Sequence, residues 1–141
     1  MVETVSEVMT PDPIMLGDRN NLVDAARVMR DQNIGSVLVA REDGELLGIV
    51  TDRDLVVRGV AAGRPPDLTP IGEVCSRHLM TVRPEDPVTA AVETMRAHTV
   101  RRLAVVDDVG TPIGVLCLGD LAQARDPDSV LGNISAASPN R

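Results

Sequence analysis

Residues 48–55 read GIVTDRDL, and residues 114–121 read GVLCLGDL. The glycine, an apolar pair, the aspartate and the leucine return in register, while Thr51 returns as Cys117. An apolar run ending in Thr, with an acid three residues on, reads as a strand feeding a helix through a capping box. The same pattern suits a ligand. A helix start offers free N–H groups and a positive dipole end to an anion, and a carboxylate can accept from two vicinal hydroxyls, as on a ribose. Cys117 is a poor cap and a weak donor, yet Asp120 persists beside it. An acid kept without its cap points to a ligand role, with the helix dipole as the competing explanation.

Working outward, the whole chain is a unit written twice. Shifted by 66 positions, residues 5–55 align with 71–121 without a gap, and ten positions are identical: Glu7/Glu73, Val8/Val74, Ala25/Ala91, Met29/Met95, Arg30/Arg96, Val39/Val105, Gly44/Gly110, Gly48/Gly114, Asp54/Asp120 and Leu55/Leu121. Most other apolar positions also match. Each copy starts with a short apolar stretch (Ile14–Leu16; Leu79–Val82). A helical pattern follows, with Leu22, Ala25, Ala26 and Met29, or Val88, Ala91, Val92 and Met95, at i, i+3, i+4 and i+7. A β-rich run (Ser36–Ala40; Leu103–Val106), a turn at Gly44 or Gly110 and a second strand precede a last helix beginning near Asp52 or Leu118. The order is β-α-β-β-α, twice, an α/β (α+β) chain. The expected organisation is unit 1 over 1–60, a proline-bearing linker over 61–70, unit 2 over 71–125 and a mobile tail over 126–141. One copy alone buries too little surface, so two copies sharing a core under pseudo-twofold symmetry are expected.

Composition narrows the function. The chain has 141 residues, 43% of them hydrophobic, and no Phe, Tyr or Trp, so the core is aliphatic. A flat ligand must be gripped by aliphatic side chains and backbone. The formal charge of −7 argues against non-specific nucleic-acid or anionic-membrane binding. No apolar run approaches the ~20 residues that span a bilayer, and the N-terminus shows no signal-peptide pattern. Cys75 and Cys117 lack metal-ligand spacing, so a cytoplasmic location with reduced thiols is expected.

Two units that open with SEVMTP (6–11) and close with GIVTDRDL resemble a pair of CBS domains, a Bateman module. The resemblance covers residues 4 to about 124, and the chain looks like the small stand-alone CBS-pair proteins of bacteria. It implies an adenosine-containing ligand (AMP, ADP, ATP or S-adenosylmethionine) held in two related clefts between the units. Carried onto this chain, it implies a first cleft of Ile49, Thr51 and Asp54, with Ser76, Met80, Val100 and Arg101 across it. The second would use Val115, Cys117 and Asp120, with Thr10, Ile14, Ile34 and Gly35 across it. The Asp would hold the ribose hydroxyls and the Thr would turn toward phosphate. A basic residue at Arg101 or Arg102 would meet phosphate from one side only, because the first copy has Gly35 and Ser36 there. The resemblance also implies a homodimer formed through helices, for which the faces Leu22–Met29 and Val88–Met95 are the candidates.

Plainer readings stand beside these. Thr51 and Asp54 are explained by capping alone, one arginine of the Arg101–Arg102 pair by an exposed ion pair, and Met29 and Met95 by core packing. His78 and His98 have no carboxylate or Cys at ligand spacing, and neither Ser76 nor Thr10 has a base placed by motif. No metal set and no catalytic constellation is found. The expectation is a non-enzymatic regulatory module that binds an adenine nucleotide and senses energy or metabolite state. The alternative is a structural dimerisation or partner-binding protein, its partner unknown, whose clefts stay empty.

Overall fold

The repeated pattern becomes two small sheets, each with its own helices, in a computed structural model that describes residues 3–125. The tail expected over 126–141 lies outside the described residues. In chain order the elements are α1 (Val5–Val8), β1 (Thr10–Pro11), β2 (Met15–Gly17), α2 (Leu22–Gln32), β3 (Ser36–Ala40), β4 (Leu46–Thr51) and α3 (Asp52–Asp54). A π-helical turn over Leu55–Val60 continues α3, and a 3₁₀ turn covers Ile71–Glu73. β5 (Met80–Val82), α4 (Val88–His98), β6 (Arg102–Val106), β7 (Pro112–Cys117) and α5 (Leu118–Arg125) complete the second copy. The chain is mixed α/β, as the repeat indicates.

The elements follow from local rules. Helix α2 starts at Asn21, whose side chain accepts from the Asp24 N–H while Asp24 accepts from the Asn21 N–H, a closed capping box. It ends at Asn33 in the left-handed region, φ 58°, a conformation Asn tolerates. Helix α4 ends at Thr99 with φ 53°, where a β-branched residue is strained. In each copy two strands pair antiparallel, β3 with β4 and β6 with β7, and a shorter strand joins parallel, β2 on β3 and β5 on β6.

The compact units cut the chain differently from the repeat. One holds residues 14–78, and the other holds 3–13 together with 79–125. The opening segment of each copy therefore belongs to the sheet of the other. β1 pairs antiparallel with β7, Thr10 opposite Val115 and Pro11 opposite Gly114. Ser76, the counterpart of Thr10, exchanges both backbone hydrogen bonds with Ile49, at 2.9 and 2.8 Å. The repeated glycines make this possible. A Cβ on Gly48 would sit 2.1 Å from the Ser76 carbonyl oxygen, and one on Gly114 would sit 2.5 Å from Met9 Sδ and 3.0 Å from the Thr10 oxygen. Each glycine leaves the gap through which the incoming segment crosses.

Each unit has its own aliphatic core. Leu22, Ala25 and Met29 pack with Val37, Val39, Val50, Leu55, Ile71, Val74 and Cys75. Val88, Ala91 and Met95 pack with Val5, Val82, Leu103, Val105, Leu116 and Leu121. Ala25 and Ala91 are 0% exposed and Leu22, Met29, Val88 and Met95 nearly as buried, so one stripe of each helix supplies interior, while Ala26 is exposed and Val92 half-buried. The linker 61–70 is tied down rather than slack. Pro66 accepts from the Leu22 N–H at 3.1 Å, Asp67 accepts from Asn21 Nδ2 at 3.1 Å, and buried Thr69 donates to the Pro65 carbonyl at 2.8 Å.

Candidate functional site

In the unit of residues 14–78, β4 runs into α3 through Thr51. Thr51 keeps extended backbone, φ −111° and ψ 164°. Its Oγ1 accepts from the Asp54 N–H at 3.1 Å, while Asp54 Oδ2 accepts from the Thr51 N–H at 2.9 Å. The capping box read from the sequence is thus closed on both sides. The Asp54 side chain is 16% exposed, and its other oxygen, Oδ1, lies 3.8 Å from Arg58 Nε. Gly35 accepts from the Asp52 N–H at 3.0 Å, which sets Ile34 and Gly35 against the same helix start. Ser76 joins through Ile49, two residues before Thr51. Ile14 is held by its carbonyl, which accepts from the Leu38 N–H at 3.0 Å.

The second unit builds the same junction with one atom changed. Asp120 Oδ2 accepts from the Cys117 N–H at 3.0 Å and from the Cys117 thiol at 3.1 Å. The half of the box in which the acid caps the strand end survives, and the other half is reversed, because the thiol donates where Thr51 accepts. Asp120 therefore has a structural role after all. Both bonds fall on Oδ2, so capping by itself accounts for Asp120 and Oδ1 takes part in neither bond. Burial, together with the hydrogen bond to Asp120, pushes the Cys117 thiol above the ordinary thiol range, which keeps it a neutral donor.

Of the residues grouped in the first set, Ile49, Thr51, Asp54 and Ser76 share the unit of residues 14–78, whereas Met80, Val100 and Arg101 belong to the other. Of the second set, Val115, Cys117, Asp120 and Thr10 share a unit, and Ile14, Ile34 and Gly35 do not. Within its own unit Arg101 accepts, through its carbonyl, from the Leu118 N–H at 2.9 Å, beside Cys117. Arg102 opens β6 opposite Cys117 in the register, and Met80 opens β5 opposite Leu103. Arg101 is exposed and Arg102 half-buried, as expected of neighbours facing opposite ways. Val100 and Arg101 also line a largely apolar cavity of about 560 Å³ with Val92, Met95, Leu118 and Leu121. Leu118 and Leu121, the neighbours of Cys117 and Asp120 in the chain, bring that cavity alongside the second helix start.

The charge around the two helix starts differs. Thr51 is followed by Asp52, Arg53 and Asp54, with Gly35 alongside; Cys117 is followed by Leu118, Gly119 and Asp120, with Arg101 alongside. Sequence reasoning missed Arg58, although its signal was present: an arginine four residues after an aspartate is a standard helical pair. Among the described residues no group of three or more His, Cys, Asp or Glu comes together to hold a metal ion. No helix among them is long and apolar enough to cross a membrane.

The doubled sheet, the two strand-to-helix grips and the exchanged opening segments describe a CBS pair. The family model for the CBS domain matches residues 5–59 and 71–126, and the chain belongs to that family. It is 37% identical over 122 residues to the uncharacterised protein MK0525 of Methanopyrus kandleri, covering 86% of this chain and 62% of that one. It is 34% identical over 138 residues to the CBS domain-containing protein YhcV of Bacillus subtilis, covering 95% and 96% of the two chains. Among solved structures, the CBS domain protein PAE2072 of Pyrobaculum aerophilum, complexed with AMP, superposes with a TM-score of 0.76 at 25% identity, over 94% of this chain and 96% of that one.

Proposed function

We propose that this protein is a non-catalytic regulatory module that binds an adenosine-containing ligand through the Thr51–Asp54 grip. The observation that carries the reading is the state of Asp54. Its carboxylate is half-buried and fixed through Oδ2, while Oδ1 has no hydrogen bond among the described residues and only a long ion pair to Arg58. A fixed acid with spare acceptor capacity suits a pair of ribose hydroxyls. The AMP complex of PAE2072 supports the choice of an adenine nucleotide. Thr51, whose hydroxyl can still donate, is assigned to phosphate; Ile49 and Ser76 are assigned to the base.

Titration with AMP, ADP, ATP and S-adenosylmethionine, followed by thermal shift and calorimetry, tests the proposal. The expected result is stabilisation by at least one of them, with one strong site per chain. Asp54→Ala should abolish the shift. A hydrogen bond to a charged group contributes about 1.5–3 kcal/mol, so its loss lowers affinity roughly tenfold to a hundredfold. No shift at millimolar concentration of any of the four would overturn the reading. It would leave a dimerisation or partner-binding protein, which one observation already favours: capping contacts alone account for both Asp54 and Asp120.

A further inference from the structure

Arg58 sits on the π-helical turn that follows the grip, four residues beyond Asp54. Its guanidinium meets three acceptors from two separate stretches of chain. Nε faces Asp54 Oδ1 at 3.8 Å, and Nη1 donates to the Val74 carbonyl at 3.4 Å and to the Cys75 carbonyl at 3.3 Å. The stretch 74–75 leads directly into Ser76, which exchanges its two backbone hydrogen bonds with Ile49. One side chain therefore touches both the acid of the grip and the segment that crosses above Gly48. All of these residues lie in the unit of residues 14–78.

The chemistry of the contacts suits a holding role. Arginine presents donors in a rigid planar fork and stays charged at any ordinary pH, so it can serve a carboxylate and carbonyls together, as a lysine point charge cannot. The Arg58 side chain is about half exposed, so as an isolated ion pair with Asp54 it would count for little. Its effect lies in tying two stretches together. Cys75 also feels the charge of Asp54, a minor cause among those that raise its thiol above the ordinary range, of which burial is the largest. In the second copy the equivalent position is Ala124, which has no guanidinium to offer.

We infer that Arg58 is a positioning residue: it holds the Asp54 carboxylate and the 74–76 segment as one pre-organised set for a ligand bound at the grip. The inference rests on the proposed nucleotide site for its ligand consequences, but the tie itself is measurable without ligand.

The experiment uses the full chain and two variants, Arg58→Gln and Arg58→Lys. Without ligand, amide exchange at Thr51, whose N–H is held by Asp54, and at Ser76, whose N–H is held by Ile49, should quicken together in Arg58→Gln by about threefold to tenfold. Arg58→Lys should restore Thr51 more than Ser76, because a single ammonium cannot serve both partners. Unchanged exchange at both amides overturns the inference whether or not any nucleotide binds. With ligand, AMP is compared with its 2′,3′-dideoxy analogue. The expected result is that Arg58→Gln weakens AMP by about threefold to tenfold more than it weakens the analogue, since only AMP carries the hydroxyls that Asp54 would hold. Equal weakening of both ligands marks Arg58 as merely structural and also overturns the inference. If the wild-type chain binds neither, the nucleotide reading fails while the exchange measurement still decides the role of Arg58.

Discussion

Cys117 carries the atom that separates the two helix starts. Threonine at 51 accepts from the Asp54 N–H, whereas cysteine at 117 turns its hydrogen toward Asp120 and leaves the Asp120 N–H without a side-chain cap. Cys117→Thr should close the second box and raise stability by about 0.5–1 kcal/mol, read as a shift of the denaturant midpoint at constant slope. The same variant changes the alkaline limb. Burial lifts both Cys75 and Cys117 above the ordinary thiol range in the folded chain. Below the unfolded-state value of about 8.5 both states keep their thiol protons. Above it the unfolded chain releases protons that the folded chain retains, so stability falls as pH rises toward the folded values. With threonine at 117 one of the two contributions disappears, and the alkaline loss should become shallower. An unchanged alkaline slope would mean that Cys117 does not titrate differently on folding.

At the scale of elements, the glycine that opens each GIVTDRDL-like stretch serves the neighbouring segment rather than its own strand. Gly48→Ala drives a methyl into the Ser76 carbonyl, a backbone atom that cannot step aside, and Gly114→Ala meets first the flexible end of Met9. Gly48→Ala should therefore cost about 2 kcal/mol or more, and Gly114→Ala distinctly less, as measured by urea unfolding. Equal costs would show that the two crossings are not built as described. This contrast also marks what the sequence reveals. The strands, α2, α4 and the helix starts at 52 and 118 are legible because their signals are local: period 3.6, β-branched runs and an acid three residues after a cap. The crossing of Thr10 over Val115 and of Ser76 over Ile49 is not, because nothing within either short segment encodes a partner that is 27 residues away for Ser76 and 105 for Thr10. The repeat shows that Gly48 and Gly114 matter, and the structure shows what they admit. The π-helical turn was equally hidden: Gly59 lies against Leu22, where a Cβ would fall 2.6 Å from Cδ1, and that contact is tertiary. Thr51, Asp54 and Asp120 stand at the helix starts that the motif marks. The partition of Arg101 and Ser76 between units depends on the crossing and was out of reach.

At the scale of the whole molecule, the exchange changes what a truncation should do. If each repeat folded on its own elements, removing residues 1–13 would injure the copy that carries them. The described contacts say otherwise. Val5 is fully buried in the core of Val88, Leu103 and Leu116. Its N–H donates to the Asp86 carbonyl at 2.8 Å, the Val88 N–H donates to the Glu3 carbonyl at 3.0 Å, and β1 covers the edge of β7. Losing Val5 alone forfeits about 1.5 kcal/mol or more of burial, and the deletion also strips backbone partners from β7 and from the start of α4. Against a typical domain stability of 5–15 kcal/mol, the unit of residues 79–125 should loosen locally. Hydrogen exchange on the chain lacking residues 1–13 should thus show protection lost across α4, β6 and β7 while β3 and β4 keep theirs. Protection lost chiefly in residues 14–60 would mean that the opening segment belongs, energetically, to its own repeat. The outcome bears on the proposed function as well, because Thr10 reaches the strand that ends at Cys117, and Ser76 the strand that ends at Thr51, only through these crossings. A ligand at either grip would then bear on a segment drawn from the other copy.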